Sequence, residues 1–337
     1  MAGMDAVPKE VLRAAYKRNP FYNPLKITFA FGLWAAMIVL LYQTQDSRYF
    51  IPIGIGVSLM VAYLVRGLGA IAHDAVHGNV ARGKLAGYLV SLLCWAPTGM
   101  SVTIYSNYHL HHHRIANTYP DVDNFVVTDY TTNPVLAKLL LLCIYTFAYP
   151  IYFMFNMFRY LKRLSRWERI RMNLELALWW GLVALAAYLM PWPVFFFAYG
   201  LPFILGAFLA SCTSMIEHFQ MPATDDDAYS SRTYGTRCHI TNFLWNNVTY
   251  HNEHHKYPGI PWYNLKSFHH TAVEHYDDQV KSAMHGSIFL LAFKLYGDIL
   301  RLDVEALERK YADIADKKKA KDSALGVPGI PVEGMAS

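Results

Sequence analysis

The chain alternates between long uncharged apolar segments and polar segments that are rich in histidine. A helix needs about 20 predominantly apolar residues to cross a bilayer. Four apolar segments approach or reach that length once their flanking residues are included: residues 27–42, 50–65, 176–192 and 194–216. The pattern predicts an all-α integral membrane protein with four transmembrane helices.

Two further apolar segments are interrupted by proline. Pro97 lies within residues 85–100, and Pro150 divides residues 135–158, which a strongly basic run follows. Proline lacks a backbone donor and disfavours a continuous helix. We therefore expect residues 85–100 to form a re-entrant or surface-lying segment, and residues 135–158 to form an in-plane or hairpin element.

Lysine and arginine are concentrated beside the apolar segments, and the cytoplasmic flanks of transmembrane helices collect these residues. The charge pattern predicts that both termini and the histidine-rich segments are cytoplasmic. On this basis the chain divides into a cytoplasmic N-terminal segment (1–26), a membrane domain (27–218), a cytoplasmic helical cap (219–316) and a disordered tail (317–337).

Three short motifs, HDAVH, HLHHH and HNEHH, contain nine of the 15 histidines, and eight of these nine are placed at chelating spacings. Their spacings of i, i+4 or i, i+3, i+4 place the imidazoles on one face of a helix. A further histidine ends the last predicted span. The predicted metal ligands are His73, His77, His109, His112, His113, His218, His251, His254 and His255.

Nine imidazoles exceed the four ligands of a structural zinc ion and suit two ions with four or five ligands each. Imidazole binds zinc, iron, copper and nickel, so the ligand type alone does not name the metal. A carboxylate-poor site for two metals at the cytoplasmic end of a helix bundle is best explained by two irons that activate O₂. The other histidines are expected to be non-ligands: His111, His239, His269, His270, His275 and His285.

Five acidic residues lie close to the histidine motifs and are expected to accept N–H hydrogen bonds from the ligand rings, which would fix the ring orientation. They are Asp74, Asp121, Asp123, Glu217 and Glu253.

Composition agrees with a membrane protein, because 54% of the residues are hydrophobic and only 16% are charged, against about 25% charged residues in soluble domains. The net charge of +5 is not arranged as a nucleic-acid-binding patch. The four cysteines form no CxxC pair, so neither a disulfide framework nor a thiolate site is indicated. The basic run at residues 159–171 has two interpretations: lipid headgroup contact, or docking of an acidic electron donor.

The three motifs, in this order and with paired apolar segments between the second and third, resemble those of the membrane fatty acid desaturase superfamily. The resemblance covers roughly residues 65–265 and implies that the nine histidines hold two ferrous ions. It further implies O₂ as co-substrate, a fatty acyl or other lipid substrate in the bilayer, and a ferredoxin, rubredoxin or cytochrome b5-like electron donor. Ser214 stands where some desaturases carry an asparagine, which weakens the analogy to acyl-CoA desaturases.

The superfamily performs several reactions, and no motif in this chain selects among them. Fatty acyl desaturation is the leading interpretation. Fatty acid hydroxylation or oxidative decarboxylation to a terminal alkene comes second, and a carotenoid ketolase or hydroxylase third. A zinc-binding membrane transporter or receptor is the non-enzymatic alternative.

Overall fold

The structure is a computed structural model that describes residues 3–116, 121, 125–222 and 226–309. The predicted disordered tail and Asp123 lie outside these residues. The helices of the described residues are α1 Lys9–Ala15, α2 Tyr22–Thr44, α3 Phe50–Val76, α4 Lys84–Trp95, α5 Val102–Ile115, α6 Pro134–Arg163, α7 Arg166–Leu189, α8 Trp192–His218, α9 His239–Leu244, α10 His251–Lys256, α11 Trp262–Ala272, α12 Asp278–Ser282 and α13 Ile288–Leu300.

Five of these helices, α2, α3, α6, α7 and α8, are long and apolar enough to cross a membrane. Four of them correspond to the four predicted spans. The fifth, α6, covers the segment that Pro150 was expected to divide, and it is one helix of 30 residues. The hairpin alternative is therefore wrong, whereas the in-plane alternative stays a prediction.

A π-helical turn at Ile144–Ala148 explains why proline does not break α6. Pro150 lies two residues after this turn, in the first positions of the next α-helical stretch. A π turn changes the hydrogen-bond register, and a proline is tolerated in the first turn because its missing N–H has no partner there. The sequence pattern carries no sign of this register change.

Helices α4 and α5 form a bent pair with an angle of 99° between them. Gly99 lies at the bend with a φ of 65°, and a Cβ atom there would lie 2.8 Å from the ring of Trp180. Glycine is thus required both for its left-handed backbone and for the close approach of α7. This bend is the geometry that the predicted re-entrant segment needs, and the re-entrant placement itself stays a prediction.

Helix α3 runs without a break from the second span through His73 to Val76, so the first histidine motif lies on the end of a membrane helix. Helix α5 carries the second motif, and its N-terminus is held by α7. There Glu175 accepts a hydrogen bond from the backbone N–H of Thr103 at 3.1 Å and from the Ser101 hydroxyl at 2.5 Å. A carboxylate is favoured at this end of a helix because unpaired N–H groups point toward it.

The residues after α8 pack against the ends of the long helices. Helix α13 buries one side and exposes another: Leu291, Leu295 and Ile299 are buried, whereas Leu290 and Phe293 are exposed. An apolar face left exposed beside membrane helices is typical of a helix that lies in the interface.

Candidate metal centre

The nine predicted histidine ligands come together from four separate places in the chain. Their ring nitrogens form two adjacent groups. The first group contains five imidazoles whose ligand atoms lie within 4.8 Å of one another: His73, His77, His109, His113 and His254. The second contains four imidazoles: His112, His218, His251 and His255.

Helical spacing explains how the motifs divide between the two groups. Histidines at i and i+4 join the same group, as His109 and His113 do on α5, whereas His112 between them faces the other group. Helix α10 repeats this arrangement in reverse, because His251 and His255 join the second group and His254 joins the first. The short helices α5 and α10 therefore each supply both groups.

The nitrogens face one another at distances that suit a shared ion. The Nε2 atoms of His77 and His109 lie 2.9 Å apart, and those of His113 and His254 lie 3.2 Å apart. In the second group the Nε2 atom of His251 lies 3.1 Å from that of His218. Because a neutral imidazole has one donor and one acceptor nitrogen, so many converging Nε2 atoms cannot all be paired by protons.

The chemistry of this donor set fits metal ions. The donors are imidazole nitrogens, which zinc, iron, copper and nickel accept. They form a group of five beside a group of four, with the Glu217 carboxylate next to His218 and His251 in the second group. Within the described part of the chain, the Nδ1 atoms of His113, His251 and His255 are buried without a hydrogen-bond partner. The fit to metal ions rests on the converging Nε2 atoms of these rings.

Burial keeps the histidines in the form that binds metal. It lowers the pKa of His251, His254 and His255 well below the ordinary value and lowers the pKa of His77 to about 4. Neighbouring imidazoles add to the effect for the three residues of α10. Since a ligand imidazole must be neutral, protons compete little for this site near neutral pH.

Two of the rings are held by oxygen atoms behind them. The Nδ1 atom of His112 donates to Asp121 Oδ1 at 3.0 Å, and both side chains are buried. The Nδ1 atom of His218 donates to the backbone carbonyl of Ser230 at 3.1 Å. Such contacts leave Nε2 as the ligand atom and orient the ring. Among the five predicted carboxylates, Asp121 has this contact.

The other carboxylates have different partners. Asp74 accepts hydrogen bonds from the Asn79 amide at 2.6 Å and from the backbone N–H of Trp262 at 3.2 Å, which ties the end of α3 to α11. Glu217 accepts from the hydroxyl of Tyr234 at 2.7 Å. Its second oxygen lies 3.9 Å from His251 Nε2, so Glu217 borders the second group.

Glu253 is fully buried between the predicted ligands of α10, and its carboxylate contacts His269 Nδ1 and the Thr233 hydroxyl. The Tyr276 hydroxyl lies 3.5 Å from the same carboxylate. His269 belongs to neither nitrogen group in the described structure. The sequence gives no signal for this pair, because His269 belongs to no chelating motif.

Sequence reasoning also missed Arg232. This buried guanidinium donates to the backbone carbonyls of Ile216 and Phe219 at the end of α8, where His218 lies. Carbonyls at a helix C-terminus lack partners within the helix, so Arg232 fixes the helix end that presents His218.

Replacing Asp121 by alanine is expected to weaken metal binding at the second group by about 10–100-fold, the usual effect of removing a residue that orients a ligand imidazole. Asp121→Asn keeps an acceptor oxygen and should lie between the alanine variant and the wild type. Competition with a chelator measures the affinity, with the exposed Asp278→Ala as control. An unchanged affinity in Asp121→Ala would show that His112 needs no support.

The sequence of the chain is similar to that of proteins in a known family, and the matched region contains the histidine site. The profile of the fatty acid desaturase family matches residues 50–286, which include all nine histidines. A sphingolipid delta(4)-desaturase of Drosophila melanogaster is 28% identical over 221 residues, and the match covers 61% of this chain and 61% of that protein. The resemblance seen in the histidine motifs is thus confirmed, and this integral membrane chain belongs to the fatty acid desaturase family.

Proposed function

We propose that the chain is a diiron oxidoreductase that uses O₂ to oxidise an unactivated C–H bond of a lipid, with fatty acyl desaturation as its reaction. The observation that carries the proposal is the convergence of nine imidazoles into adjacent groups of five and four. A family match and a desaturase relative support the same class of reaction.

The size of the two groups favours iron over zinc. Zinc sites in proteins take four ligands, or three and a water molecule, and the first group here offers five nitrogens. Two ferrous ions, when bound, would supply the O₂-dependent oxidising power that an unactivated C–H bond requires. The chain's own contribution is to hold neutral, oriented imidazoles in a buried site.

The two nitrogen groups differ in how far their histidines are buried. His77 and His113 are half-buried, whereas the predicted ligands of the second group are buried. Both half-buried rings belong to the first group. We therefore place the approach of the lipid on the side of the first group, with the second group enclosed by protein that excludes water.

Electrons must reach the buried site from a donor, and the basic run at the junction of α6 and α7 is a suitable entry point. Lys162, Arg163 and Arg166 are exposed there. The Arg163 guanidinium lies 4.8 Å from the ring of Tyr160, whose ring centroid is 5.4 Å from that of the buried Tyr108. Tyr108 directly precedes a ligand on α5. Headgroup contact alone would not require aromatic rings that lead to the metal site.

Reversing the charge of this basic face should slow reduction of the enzyme. Arg163→Glu combined with Arg166→Glu is expected to lower the association rate with an acidic donor protein by about 10-fold or more at low salt. Stopped-flow reduction by ferredoxin, rubredoxin and cytochrome b5 measures the rate, and added salt should reduce the difference between variant and wild type.

Arg48→Glu, on the loop between α2 and α3, is the matched control, and the donor should reduce this variant at the wild-type rate. If every donor reduced the double variant as fast as the wild type, the basic face would contact only the membrane headgroups.

The charge pattern also supports the proposed orientation, with both termini and the metal site in the cytoplasm. There the site would be accessible to soluble or peripheral electron donors. Cysteine labelling of single-cysteine variants from each side of the membrane tests this orientation.

Product analysis tests the reaction. The purified chain, supplied with ferrous iron, a donor system, O₂ and a panel of fatty acyl and sphingoid lipids, should yield a product two hydrogens lighter than its substrate. A gain of one oxygen would indicate hydroxylation, and loss of CO₂ would indicate decarboxylation. Absence of any O₂-dependent product, together with one tightly bound zinc ion, would contradict the proposal.

A further inference from the structure

A cavity with a volume of about 390 Å³ lies between the end of α3 and the starts of α4 and α5. Sites for small molecules usually measure roughly 300–1,000 Å³. Val76, the neighbour of His77, lines the cavity, and so does Ser106 on α5. Ser106 precedes His109 by three positions and shares its helix face. The cavity therefore lies beside the half-buried first nitrogen group.

Glycines keep this cavity open. A Cβ atom at Gly78 or Gly83 would meet nothing within 4 Å, and one at Gly87 would meet only the Ala75 carbonyl oxygen at 3.9 Å. Gly78 and Gly83 have positive φ values, which explain glycine at those two positions. Gly87 lies inside α4, where any helical residue would fit the backbone. Its lack of a side chain preserves space in the cavity.

The charge of the cavity is positive. Arg18 and Lys84 line it, and none of its described lining residues is acidic. Neither cation has a salt bridge within the described residues. The hydroxyls of the lining serines are already used, since Ser91 donates to the Ala72 carbonyl and Ser106 to the Val102 carbonyl. The guanidinium and the ammonium are the charged donors that the cavity offers to a ligand.

We propose that this cavity binds the anionic head of an acyl lipid, a carboxylate or a phosphate, through Arg18 and Lys84. Both cations form charge-assisted hydrogen bonds with such oxygens. The inference rests on the proposed function and narrows it: the substrate carries its negative charge beside the first nitrogen group, and a lipid with a neutral head is a poor ligand.

Equilibrium binding to the full chain in nanodiscs tests the proposal without turnover. The probes are hexadecanoate, hexadecanoyl-CoA and hexadecanol, with binding to empty nanodiscs subtracted. At least one anionic probe should bind about tenfold or more tightly than the alcohol, as one charge-assisted hydrogen bond allows. Preference for hexadecanoate identifies the carboxylate as the recognised group, whereas preference for the thioester identifies the phosphates.

Three variants test the residues. Arg18→Gln and Lys84→Gln should each lower the affinity for the anionic probe by about tenfold and leave the affinity for the alcohol unchanged. Gly87→Leu should remove binding of the anionic probe by filling the cavity. The controls are Arg48→Gln, and Gly32→Leu on α2, where a Cβ atom also meets nothing within 4 Å; both should bind as wild type does.

Equal affinity for acid, thioester and alcohol in the wild type would overturn the proposal, as would unchanged binding in both glutamine variants. These variants change exposed side chains and decide the question even if Gly87→Leu fails to fold. A chain that binds the anionic lipid but oxidises nothing would contradict only the proposed function. A chain that oxidises lipids but binds the alcohol equally well would contradict only the cavity assignment.

Discussion

Replacing His109 and His113 together by alanine is expected to remove one of two metal ions and to leave the other bound. The two residues lie at i and i+4 on α5 and supply two of the five nitrogens of the first group, whereas the second group loses none. Replacing His251 and His255 together should remove the other ion by the same reasoning. Metal content should fall from about two to about one ion per chain in each variant, because each pair of substitutions removes two nitrogens from one group only.

Lipid oxidation should fall in both variants by at least about 100-fold, more than the effect of losing a residue that only supports a ligand. Elemental analysis and product formation are measured on the same samples. His239→Ala together with His275→Ala removes two exposed histidines and should change neither quantity. If either paired ligand variant lost both ions while still folded, or lost none, the division into two groups would be wrong.

Replacing Glu253 by alanine is expected to destabilise the protein by roughly 2–6 kcal/mol, because two buried hydrogen-bond partners lose their acceptor and each loss costs about 1–3 kcal/mol. The substitution leaves His269 Nδ1 and the Thr233 hydroxyl buried without their carboxylate. Because α10 supplies nitrogens to both groups, metal content at both should also fall. Thermal and denaturant unfolding measure the stability, and elemental analysis measures the metal.

The exposed Glu274→Ala is the matched control and should change stability by less than about 0.5 kcal/mol. Glu253→Gln keeps the side-chain shape and an acceptor oxygen, so its loss should be smaller than that of the alanine variant. A Glu253→Ala protein as stable as wild type would mean that the contacts of this carboxylate contribute nothing net.

Local spacing was enough to predict which histidines share a helix face, and the structure brings all nine together. The division into groups of five and four depends on how α3, α5, α8 and α10 approach one another, which no local pattern contains. The same limit applies to α6, where a π turn next to Pro150 preserves a helix that the composition suggested would be divided.

The carboxylates show a second limit of sequence reasoning. Asp74 and Glu253 lie next to predicted ligands in the sequence, but neighbouring residues on a helix point about 100° apart. Their carboxylates accordingly contact the surrounding protein, at Asn79 and at His269. Asp121, nine positions after His112, contacts the ring of that predicted ligand, and helical spacing does not predict this contact.

The central claim is that nine imidazoles hold two iron ions in adjacent groups. Anomalous diffraction at the iron absorption edge, from crystals of the iron-loaded protein, tests it most directly. We expect two peaks, one among His73, His77, His109, His113 and His254, and one among His112, His218, His251 and His255. A single peak, a peak at the zinc edge only, or peaks outside these two groups would contradict the account.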